Sequence, residues 1–294
     1  MDEELKKLFN CGFIFLDKPR GPSSHEITAY IKKFLNLKKV GQQGTLDPQA
    51  SGVLIIALNK ATRLLRFLAK EEKTYVGVMK VKLQPSSIEE IQKVFNHFVG
   101  TIKQIPPLES AVAKKERIRK VYSFIVLENQ GKKILFQAKV QAGTYIRKLC
   151  QEVGKFFGEG KLVELRRTSF GFVSEYDCSN LYDLIDAYHY YLKTGDGKEI
   201  KRLINPPNKI ILLPSIIIEQ KAYESVCRGL PLARSDVATV EGFFVAGQYL
   251  SILDKNKNFL AIAIALKSSQ EIAIAKKEEK IALLKIVLTN AEVA

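Results

Sequence analysis

The sequence predicts an α+β protein with a large mixed domain in residues 1–207 and a smaller β-rich domain in residues 208–294. Two observations predict this class. Through the first two-thirds of the chain, helical periodicity alternates with short apolar or alternating segments, which is typical of a mixed sheet covered by helices. A stretch rich in glycine, proline and charge at residues 194–208 then leads, in our interpretation, into a linker, and mostly strand-like segments follow it.

Apolar runs, alternation and capping residues locate the elements of the large domain. Ser23 with Glu26 and Ser87 with Glu90 form two capping boxes, each followed by a helical pattern. Apolar or strand-like segments cover residues 13–16, 53–58, 74–83, 121–127, 134–140 and 162–173. Further helical patterns cover residues 61–68, 144–157 and 181–192. The side chains expected on buried helix faces are Ile27, Ile31, Phe34, Leu35, Ile88, Ile91, Phe95 and Phe98.

The smaller domain has the pattern of a small β-barrel. Between residues 259 and 266, large aliphatic side chains alternate with alanines, which gives a strand one bulky face and one small face. A helical segment at residues 221–227 ends near Gly229, where glycine is suited to terminate a helix. We therefore expect a compact sheet with a short helix in this domain.

Composition and cysteine spacing exclude several classes of protein. The first eight residues are too charged for a signal peptide, and no run reaches the ~18 apolar residues of a transmembrane helix. The four cysteines form no C-x-x-C pair and the three histidines lie far apart, so we expect no metal site and no cofactor. A cytoplasmic chain with reduced, mostly buried thiols is the resulting expectation.

The formal net charge of +15 predicts a polyanionic partner, although charge alone does not separate nucleic acid from an anionic membrane surface. Residues 1–207 hold 35 basic and 22 acidic residues, whereas residues 208–294 hold 11 and 9. Within residues 113–148 there are 10 basic and 2 acidic residues, which favours phosphate contacts over an ordinary solvated face. The expected contacts in this tract are Lys114, Lys115, Arg117, Arg119 and Lys120.

Residues 41–54, GQQGTLDPQASGVL, are the most informative stretch of the sequence. Proline after Asp47 restricts that aspartate to an extended or turn conformation, and Gly44 and Gly52 permit tight bends or the close approach of a ligand. Such a loop presents one carboxylate on a rigid frame. Taken alone, however, an aspartate in a glycine-rich loop is more often a turn former than a nucleophile.

Five motifs in order give this loop a specific interpretation. They are residues 16–24 (LDKPRGPSS), 44–48 (GTLDP) with 51–54 (SGVL), 73–75 (KTY), 142–147 (AGTYIR) and 164–167 (ELRR). Together they resemble the motifs of the TruB family of pseudouridine synthases over residues 13–171. The resemblance implies a mixed-sheet catalytic domain that isomerises uridine to pseudouridine in RNA.

The resemblance also implies roles for individual residues. Asp47 would be the nucleophile, Arg147 would pair with it and keep it ionised, and Tyr75 would stack on the uracil and help remove the proton from C5. Attack of Asp47 on C1′ and assistance to glycal formation both stay open. Leu165 would exclude water from the pocket. Further residues expected at the pocket or the RNA are Lys18, Pro19, Gly44, Gln42, Arg166 and Arg167.

One position departs from the family pattern. The family usually has histidine directly after the first glycine of the loop, where this chain has Gln42. That histidine is not the nucleophile, so activity is still expected. We expect Gln42 to affect the contacts at the edge of the pocket and the ability of the protein to act on tRNA without partners.

The branch of the family can be argued from residues 105–112 (IPPLESAV) and the basic tract after them. This region is similar to the dyskerin-like branch, the catalytic subunit of the archaeal and eukaryotic box H/ACA ribonucleoprotein, and the compact length favours the archaeal form. From about residue 213 the chain resembles the PUA RNA-binding domain of that branch, with Arg228 and Gly229 as candidate RNA contacts. Residues 1–12 are expected to pack on this PUA-like domain.

This branch implies an RNA-guided reaction on rRNA or tRNA. The implied partners are guide RNA, substrate RNA, a small zinc-ribbon-type protein, a small β-barrel protein and a kink-turn-binding protein, with no membrane. Two alternatives stay open, a stand-alone tRNA pseudouridine synthase and a non-catalytic RNA-binding scaffold. The presence of Asp47, Tyr75 and Arg147 argues against the scaffold.

Overall fold

The computed structural model describes residues 2–106, 113 and 115–289. These residues divide into a larger compact unit, within residues 14–56 and 65–203, and a smaller one, residues 2–13, 57–64 and 204–289. Helix α1 (Glu3–Cys11) belongs to the smaller unit. The α+β class is confirmed, whereas the boundary between residues 207 and 208 stays a prediction.

A mixed sheet forms the frame of the larger unit. Its strands are β1 (Phe13–Lys18), β2 (Val40–Gln43), β3 (Ala50–Leu58), β4 (Lys73–Val81), β5 (Gly100–Gln104), β6 (Arg117–Gln130), β7 (Lys133–Val140), β8 (Gly160–Phe170) and β9 (Val173–Ser174). The order across the sheet is β1-β3-β8-β4-β7-β6-β5, with β2 on β3 and β9 on β8. Strands β3 and β8 run parallel, whereas β4 is antiparallel to both β8 and β7.

Helices supply the rest of the core of the larger unit. They are α2 (Ser24–Phe34), α3 (Ile88–Asn96), α4 (Ile146–Gly154), α5 (Leu181–Thr194) and α6 (Lys198–Leu203). Side chains of α3 and α4 pack with those of β4, β6 and β7 in one cluster. At its centre the Phe95 ring stacks on Phe124 at 3.7 Å between centroids, and Phe136 meets Phe124 edge-on at 5.4 Å.

The smaller unit carries a second sheet of six strands. They are β10 (Ser215–Ile218), β11 (Leu232–Ala233), β12 (Val237–Glu241), β13 (Tyr249–Leu253), β14 (Phe259–Ala265) and β15 (Lys280–Val287), in the order β11-β15-β14-β13-β10-β12. Two short helices, α7 (Tyr223–Cys227) and α8 (Ser269–Ile274), accompany them. Consecutive residues 260–263 of β14 are all buried, so both the bulky and the small face of this predicted strand lie in the core.

Both predicted capping serines begin a helix, but the hydrogen bonds at the second helix differ from a complete capping box. Ser23 and Glu26 form the complete capping box. Ser87 accepts a hydrogen bond from the Glu90 amide at 3.2 Å, but the Glu90 carboxylate accepts from the Ser86 amide at 2.6 Å instead of from Ser87. The expected burial of Ile88 is wrong, because its side chain is 45% exposed.

Two segments differ from the sequence prediction. Residues 198–203, inside the stretch interpreted as leading into a linker, form α6 because Ile200 and Leu203 bury their side chains. Strand β6 begins at Arg117, four residues before its predicted start, because β5 supplies a partner from Gly100↔Val121 to Gln104↔Arg117. The basic tract is therefore partly a strand.

Within the described residues, no helix is long and apolar enough to span a membrane. The same residues contain no group of three or more His, Cys, Asp or Glu side chains that could hold a metal ion. The four cysteines are free thiols. Cys150 is buried, and Cys11, Cys178 and Cys227 are partly buried.

Candidate active site

Asp47 lies on the segment that joins β2 to β3. Its backbone carbonyl accepts a hydrogen bond from the Ala50 amide at 3.0 Å, which closes a turn directly before β3. Gly44 has a φ of +71° and Gly52 a φ of +99°, values that glycine adopts readily. The side chain of Asp47 is 58% exposed. The loop thus has a fixed backbone and presents its carboxylate to solvent.

Lys18, the last residue of β1, holds the backbone of this loop. Its side chain is fully buried, and Nζ donates to the carbonyls of Pro19 and Ala50, each at 2.8 Å, and lies 3.5 Å from that of Pro48. Burial, then the positive charge of Arg167, lowers the pKa of Lys18 below its usual value. The buried ammonium is therefore satisfied by hydrogen bonds to backbone carbonyls, where a carboxylate partner is more usual.

The turn after β1 makes further bonds to the same loop. The Ser24 hydroxyl donates to the Leu46 carbonyl and accepts from the Leu46 amide, both at 2.9 Å. The Gly21 amide donates to the Pro48 carbonyl at 2.9 Å. The residues on both sides of Asp47 are therefore fixed by the segment from Lys18 to Ser24.

Arg167 holds the loop at its first glycine. Its side chain is 1% exposed, Nε donates to the Val53 carbonyl at 2.6 Å, and Nη2 donates to the Gly44 carbonyl at 2.7 Å. The predicted RNA contact of Arg167 is therefore wrong, because its guanidinium is buried against the protein backbone. Its charge supports the loop from within the fold.

Lys73, the first residue of β4, is a third buried cation beside the loop. Its side chain is 6% exposed, and Nζ donates to the Glu71 carbonyl at 2.6 Å and lies 4.4 Å from the centre of the Phe170 ring. A Cβ on Gly44 would lie 3.0 Å from Arg167 Nη1 and from Phe170 and 3.3 Å from Lys73 Cε, so a glycine is needed there. Burial, then Arg167, lowers the pKa of Lys73 to about 8.

Arg147 lies in the first turn of α4 and forms an ion pair with Asp47. The side-chain amide of Gln104, itself 7% exposed, fixes the start of this helix by donating to the Tyr145 carbonyl at 3.2 Å and accepting from the Tyr145 amide at 3.0 Å. Arg147 Nη2 donates to Asp47 Oδ2. The side chains are 40% and 58% exposed, so the pair remains accessible to a ligand.

Tyr75 and Leu165 lie in the sheet next to this loop. Tyr75 of β4 is 8% exposed and packs in the same cluster as Leu46 and Ala50, which flank Asp47. Leu165 of β8 is partly buried against that cluster and pairs with Ala50 of β3. The structure therefore brings Tyr75 and Leu165 into the core cluster that also contains Leu46 and Ala50 of the loop, while Arg147 pairs with Asp47 of the same loop.

Gln42 lies on β2, just before the loop. Its Nε2 is 3.4 Å from the Thr45 hydroxyl, and its Oε1 is buried without a hydrogen-bond partner among the described residues. Pro19 follows Lys18 directly and contributes the carbonyl already described.

The predicted phosphate contacts of the basic tract lie along β6 and just before it. Lys115 and Lys120 are exposed, and Arg117 and Arg119 are partly exposed, whereas Lys114 lies outside the described residues. The Lys120 amide donates to Gln141 Oε1 at 3.0 Å, and the Gln141 amide donates to the Lys120 carbonyl at 2.8 Å. Gln141 opens the turn that leads into α4, so the basic strand is bonded to the segment that carries Arg147.

Two other predicted RNA contacts form ion pairs within the chain. Arg166 donates to both oxygens of Asp17 at 2.9 and 3.0 Å and to Glu175 at 2.7 Å, and the Asp17 bonds raise its pKa. Arg228 is 67% exposed and lies 3.2 Å from Glu224, one turn earlier, and Gly229 follows with a φ of +77°. The charge of Arg166 is thus neutralised locally, while Arg228 stays accessible.

Sequence reasoning missed three supporting residues, Ser24, Lys73 and Gln104. For Lys73 a signal existed: it precedes Tyr75 by two residues, so the two share one face of β4, and that face is otherwise apolar. A lysine on a buried strand face requires local partners. Gln104 carried no signal, because its contact with Tyr145 joins residues 41 positions apart.

The arrangement is suited to covalent or acid–base chemistry on a ligand beside an aromatic ring. A carboxylate held on a rigid, partly exposed loop is available as a nucleophile, and an adjacent guanidinium orients it. Tyr75 offers a ring and a hydroxyl next to that loop.

Four family domains match the chain. Residues 32–146 match the N-terminal domain of TruB family pseudouridylate synthases, and residues 147–211 match the C-terminal domain of tRNA pseudouridylate synthase B. Residues 214–287 match the PUA domain and residues 2–28 the DKCLD (NUC011) domain.

Similar proteins and structures extend over nearly the whole chain. Proteins named "Probable tRNA pseudouridine synthase B" from Archaeoglobus fulgidus and Methanocaldococcus jannaschii are 38% and 37% identical, over 94% of this chain in both cases and 84% and 82% of theirs. A chain in a structure of an H/ACA RNP bound to a substrate RNA containing 2′-deoxyuridine superposes with a TM-score of 0.84 at 35% identity, over 98% of this chain and 88% of its own. A chain of the archaeal box H/ACA sRNP Nop10–Cbf5 complex gives 0.82 at 34% identity, over 98% and 89%.

The mixed sheet, the loop-borne carboxylate with its arginine, and these similarities define a pseudouridine synthase. Within that class, the chain belongs to the TruB family and carries a PUA domain at its C-terminal end.

Proposed function

We propose that this protein is the catalytic subunit of an RNA-guided pseudouridine synthase of the box H/ACA type, in which a guide RNA selects uridines in rRNA or tRNA. The observation that carries the proposal is the similarity over 98% of the chain to a subunit of an H/ACA RNP that was solved with substrate RNA. The match of residues 2–28 to the DKCLD domain adds support at the N-terminal end.

Asp47 is the proposed nucleophile of the reaction. The N1–C1′ bond of the target uridine breaks, the uracil rotates, C5 bonds to C1′, and the proton on C5 is lost while N1 gains one. Asp47 assists the breaking of the first bond, either by attack on C1′ or by promoting glycal formation. Its exposure and its turn-locked backbone support this role, because covalent catalysis requires an accessible group held in one geometry.

Tyr75, Arg147 and Leu165 complete the proposed site. Arg147 orients the Asp47 carboxylate, Tyr75 stacks on the uracil and assists removal of the C5 proton, and Leu165 excludes water from the pocket. The ion pair of Arg147 with Asp47 and the presence of Tyr75 in the same buried cluster as Leu46 and Ala50 support these roles. Lys18 and Pro19 position the loop.

The target uridine has to leave its stack to reach such a site, which costs a few kcal/mol. Phosphate contacts along β6 offset part of that cost. Lys115, Arg117, Arg119 and Lys120 are the proposed contacts, and Lys120 is bonded to the turn before α4. Arg228 and Gly229 of the PUA domain are proposed to contact the guide RNA.

Partner proteins are proposed by analogy with the structural neighbours. Two of them are complexes with Nop10, and one of those also contains Gar1. For this chain we propose a small zinc-ribbon-type partner, a small β-barrel partner and a kink-turn-binding protein in addition to guide and substrate RNA. A cytoplasmic location without a membrane partner stays a prediction.

Tritium release from 5-³H-uridine tests the guided mode. The chain is assayed on bare tRNA, and on a target RNA with guide RNA and the partner proteins. Release is expected only in the second mixture, and a guide whose targeting arms no longer pair with the target is the matched control. Release that does not depend on guide pairing would contradict guidance.

One alternative has a specific observation in its favour. Residues 147–211 match the C-terminal domain of tRNA pseudouridylate synthase B, and the similar archaeal proteins carry that name. Full activity on bare tRNA in the same assay would favour a stand-alone tRNA enzyme. The absence of release in every mixture would favour a non-catalytic scaffold.

A further inference from the structure

Arg119 lies on the face of β6 that turns towards the core. Strands β5 and β6 pair in an unbroken antiparallel register, in which Arg119 lies opposite Ile102. Residues directly opposite each other share a face of the sheet. Ile102 packs against the buried cluster of the larger unit, so Arg119 also points inwards. Ile118, one residue earlier, points outwards and is 63% exposed.

The same face of the sheet carries Tyr75. Val121, two residues after Arg119, lies opposite Val140 of β7. Ala138, two residues before Val140, lies opposite Tyr75 of β4. Because alternate residues of a strand share a face, the side chains of Arg119 and Tyr75 are on one side of the sheet. Helix α4 packs on that side as well.

The Arg119 guanidinium lies against the turn that leads into α4. A Cβ on Gly143 would be 3.1 Å from both Nε and Nη2 of Arg119, and Gly143 has a φ of +79°, which glycine adopts readily. Hydrogen bonds to β5 and β6 hold both ends of this turn, at Gln141 and Tyr145. Arg119 therefore contacts the middle of a fixed turn, four residues before Arg147.

This guanidinium has donors that lack acceptors. Its Nε is buried without a hydrogen-bond partner, and among the described residues it donates only from Nη1, to the Ile118 carbonyl at 2.7 Å. No carboxylate of the described residues pairs with Arg119, in contrast to Arg166, which meets Asp17 and Glu175. A buried donor left unpaired costs free energy, and a phosphate accepts two parallel hydrogen bonds from one guanidinium. The side chain is partly exposed, so such an anion is able to reach it.

We propose that Arg119 is a positioning residue, which binds a phosphate next to the target uridine and thereby fixes the turn that orients Arg147. The ribose of the target nucleotide has to reach Asp47, the partner of Arg147, so its phosphates enter on the side of the sheet that carries Arg119. An ordinary phosphate contact would change affinity alone, whereas a positioning contact also changes the rate on bound RNA. This inference rests on the proposed function, because it names how the substrate RNA of that reaction acts on the site.

A double-mutant cycle between protein and RNA tests the contact. Wild type and Arg119→Met are assayed with guided target RNAs that carry one uncharged methylphosphonate linkage, either 5′ or 3′ of the target uridine. Single-turnover tritium release at saturating protein measures the rate constant on bound RNA. We expect Arg119→Met to lower this rate constant about tenfold or more, because the variant loses hydrogen bonds to a charged phosphate. At one linkage the methylphosphonate should lower it by a similar factor, and Arg119→Met should then add no further decrease.

Two further variants separate the contact from charge and from stability. Arg119→Lys keeps the charge and covers the case of a methionine variant that fails to fold, but it cannot donate two parallel hydrogen bonds, so it should recover only part of the rate constant. Lys103→Met removes a cation from the outward face of β5, 68% exposed beside Glu116, and should stay within about threefold of wild type with every RNA. The urea midpoint of Arg119→Met should stay close to that of wild type, because its guanidinium makes a single hydrogen bond within the described residues.

An unchanged rate constant in Arg119→Met and Arg119→Lys would overturn the inference, and so would effects that multiply at both linkages. A weaker affinity with an unchanged rate constant would overturn the positioning role and leave a phosphate contact alone. In each of these cases guided release by the wild type still upholds the proposed function, whereas absence of release by the wild type would remove it.

Discussion

The larger unit contains two sets of cations that differ in burial and in partner. Lys18, Lys73 and Arg167 are at most 6% exposed, and their hydrogen bonds go to backbone carbonyls around or near the Asp47 loop. Lys115 and Lys120, at the start of the basic strand, are exposed to solvent. The first set fixes the geometry of the loop, whereas the second set is available to phosphate.

The difference shows how a net charge should be interpreted in such a chain. The formal charge of +15 counts both sets alike, and it also counts Arg166, whose charge is balanced by Asp17 and Glu175. Only the exposed, unbalanced part is able to release counterions from RNA. Buried cations act instead through the backbone carbonyls that they satisfy, so their removal should affect stability and rate without changing salt dependence.

Among the cations, the largest effect is expected from Arg147→Met. The variant loses the ion pair that orients Asp47, so kcat for guided tritium release should fall by about a hundredfold or more. Lys148→Met, the next residue of the same helix, is the matched control and should retain a kcat within about threefold of wild type. Equal kcat values for the two variants would show that the ion pair does not contribute to the rate.

Arg167→Met tests whether the buried cations stabilise the fold. The carbonyls of Val53 and Gly44 lose their partner in a site that is 1% exposed, so the free energy of unfolding should fall by about 3 kcal/mol. Urea denaturation measures the change. Lys120→Met is the exposed counterpart and should stay within about 0.5 kcal/mol of wild type. Similar losses for both variants would remove the distinction between the two sets.

Lys73→Met should change how stability depends on pH. Folding lowers the pKa of Lys73 from 10.5 to about 8, so the cost of the buried charge is full below pH 8 and is relieved as pH rises towards 10.5. The free energy of unfolding of Lys73→Met minus that of wild type should therefore be largest below pH 8. This advantage should shrink by on the order of 1–3 kcal/mol between pH 8 and 10.5.

Urea denaturation of wild type and Lys73→Met at several pH values from 7 to 10.5 measures that difference. Because all other lysines are common to both proteins, their titration cancels in the comparison. Parallel stability curves would mean that Lys73 titrates normally in the folded chain.

The smallest effect concerns a single exposed cation. Lys120→Gln should reduce the slope of log affinity against log salt for target RNA by about 0.7, the value for one phosphate contact on a single strand. Filter binding between low and moderate salt measures the slope. Arg166→Gln is the control from the balanced pair and should leave the slope unchanged, since its guanidinium already pairs with Asp17 and Glu175.

The motifs predicted the pairing of Asp47 with Arg147 although 100 positions separate them, because a short motif fixes both residue type and local turn. Which of the two arginines after Leu165 is buried could not be predicted from the sequence. Arg166 and Arg167 are adjacent in a strand and so point to opposite faces, and only the tertiary packing decides which is buried. The start of β6 was not predicted for a related reason. Its first residues become a strand because they pair with β5, and β5 itself has no strand pattern in the sequence.

Asp47→Asn provides the most direct test of the proposed site. The substitution keeps the size of the side chain and removes the negative charge that a nucleophile requires. Guided tritium release and the affinity for the same target RNA are measured on wild type and variant side by side. We expect release to fall below detection while the dissociation constant for RNA stays within about threefold, because the phosphate contacts lie on β6. Release that persists in Asp47→Asn would contradict the assignment of Asp47 as the catalytic residue.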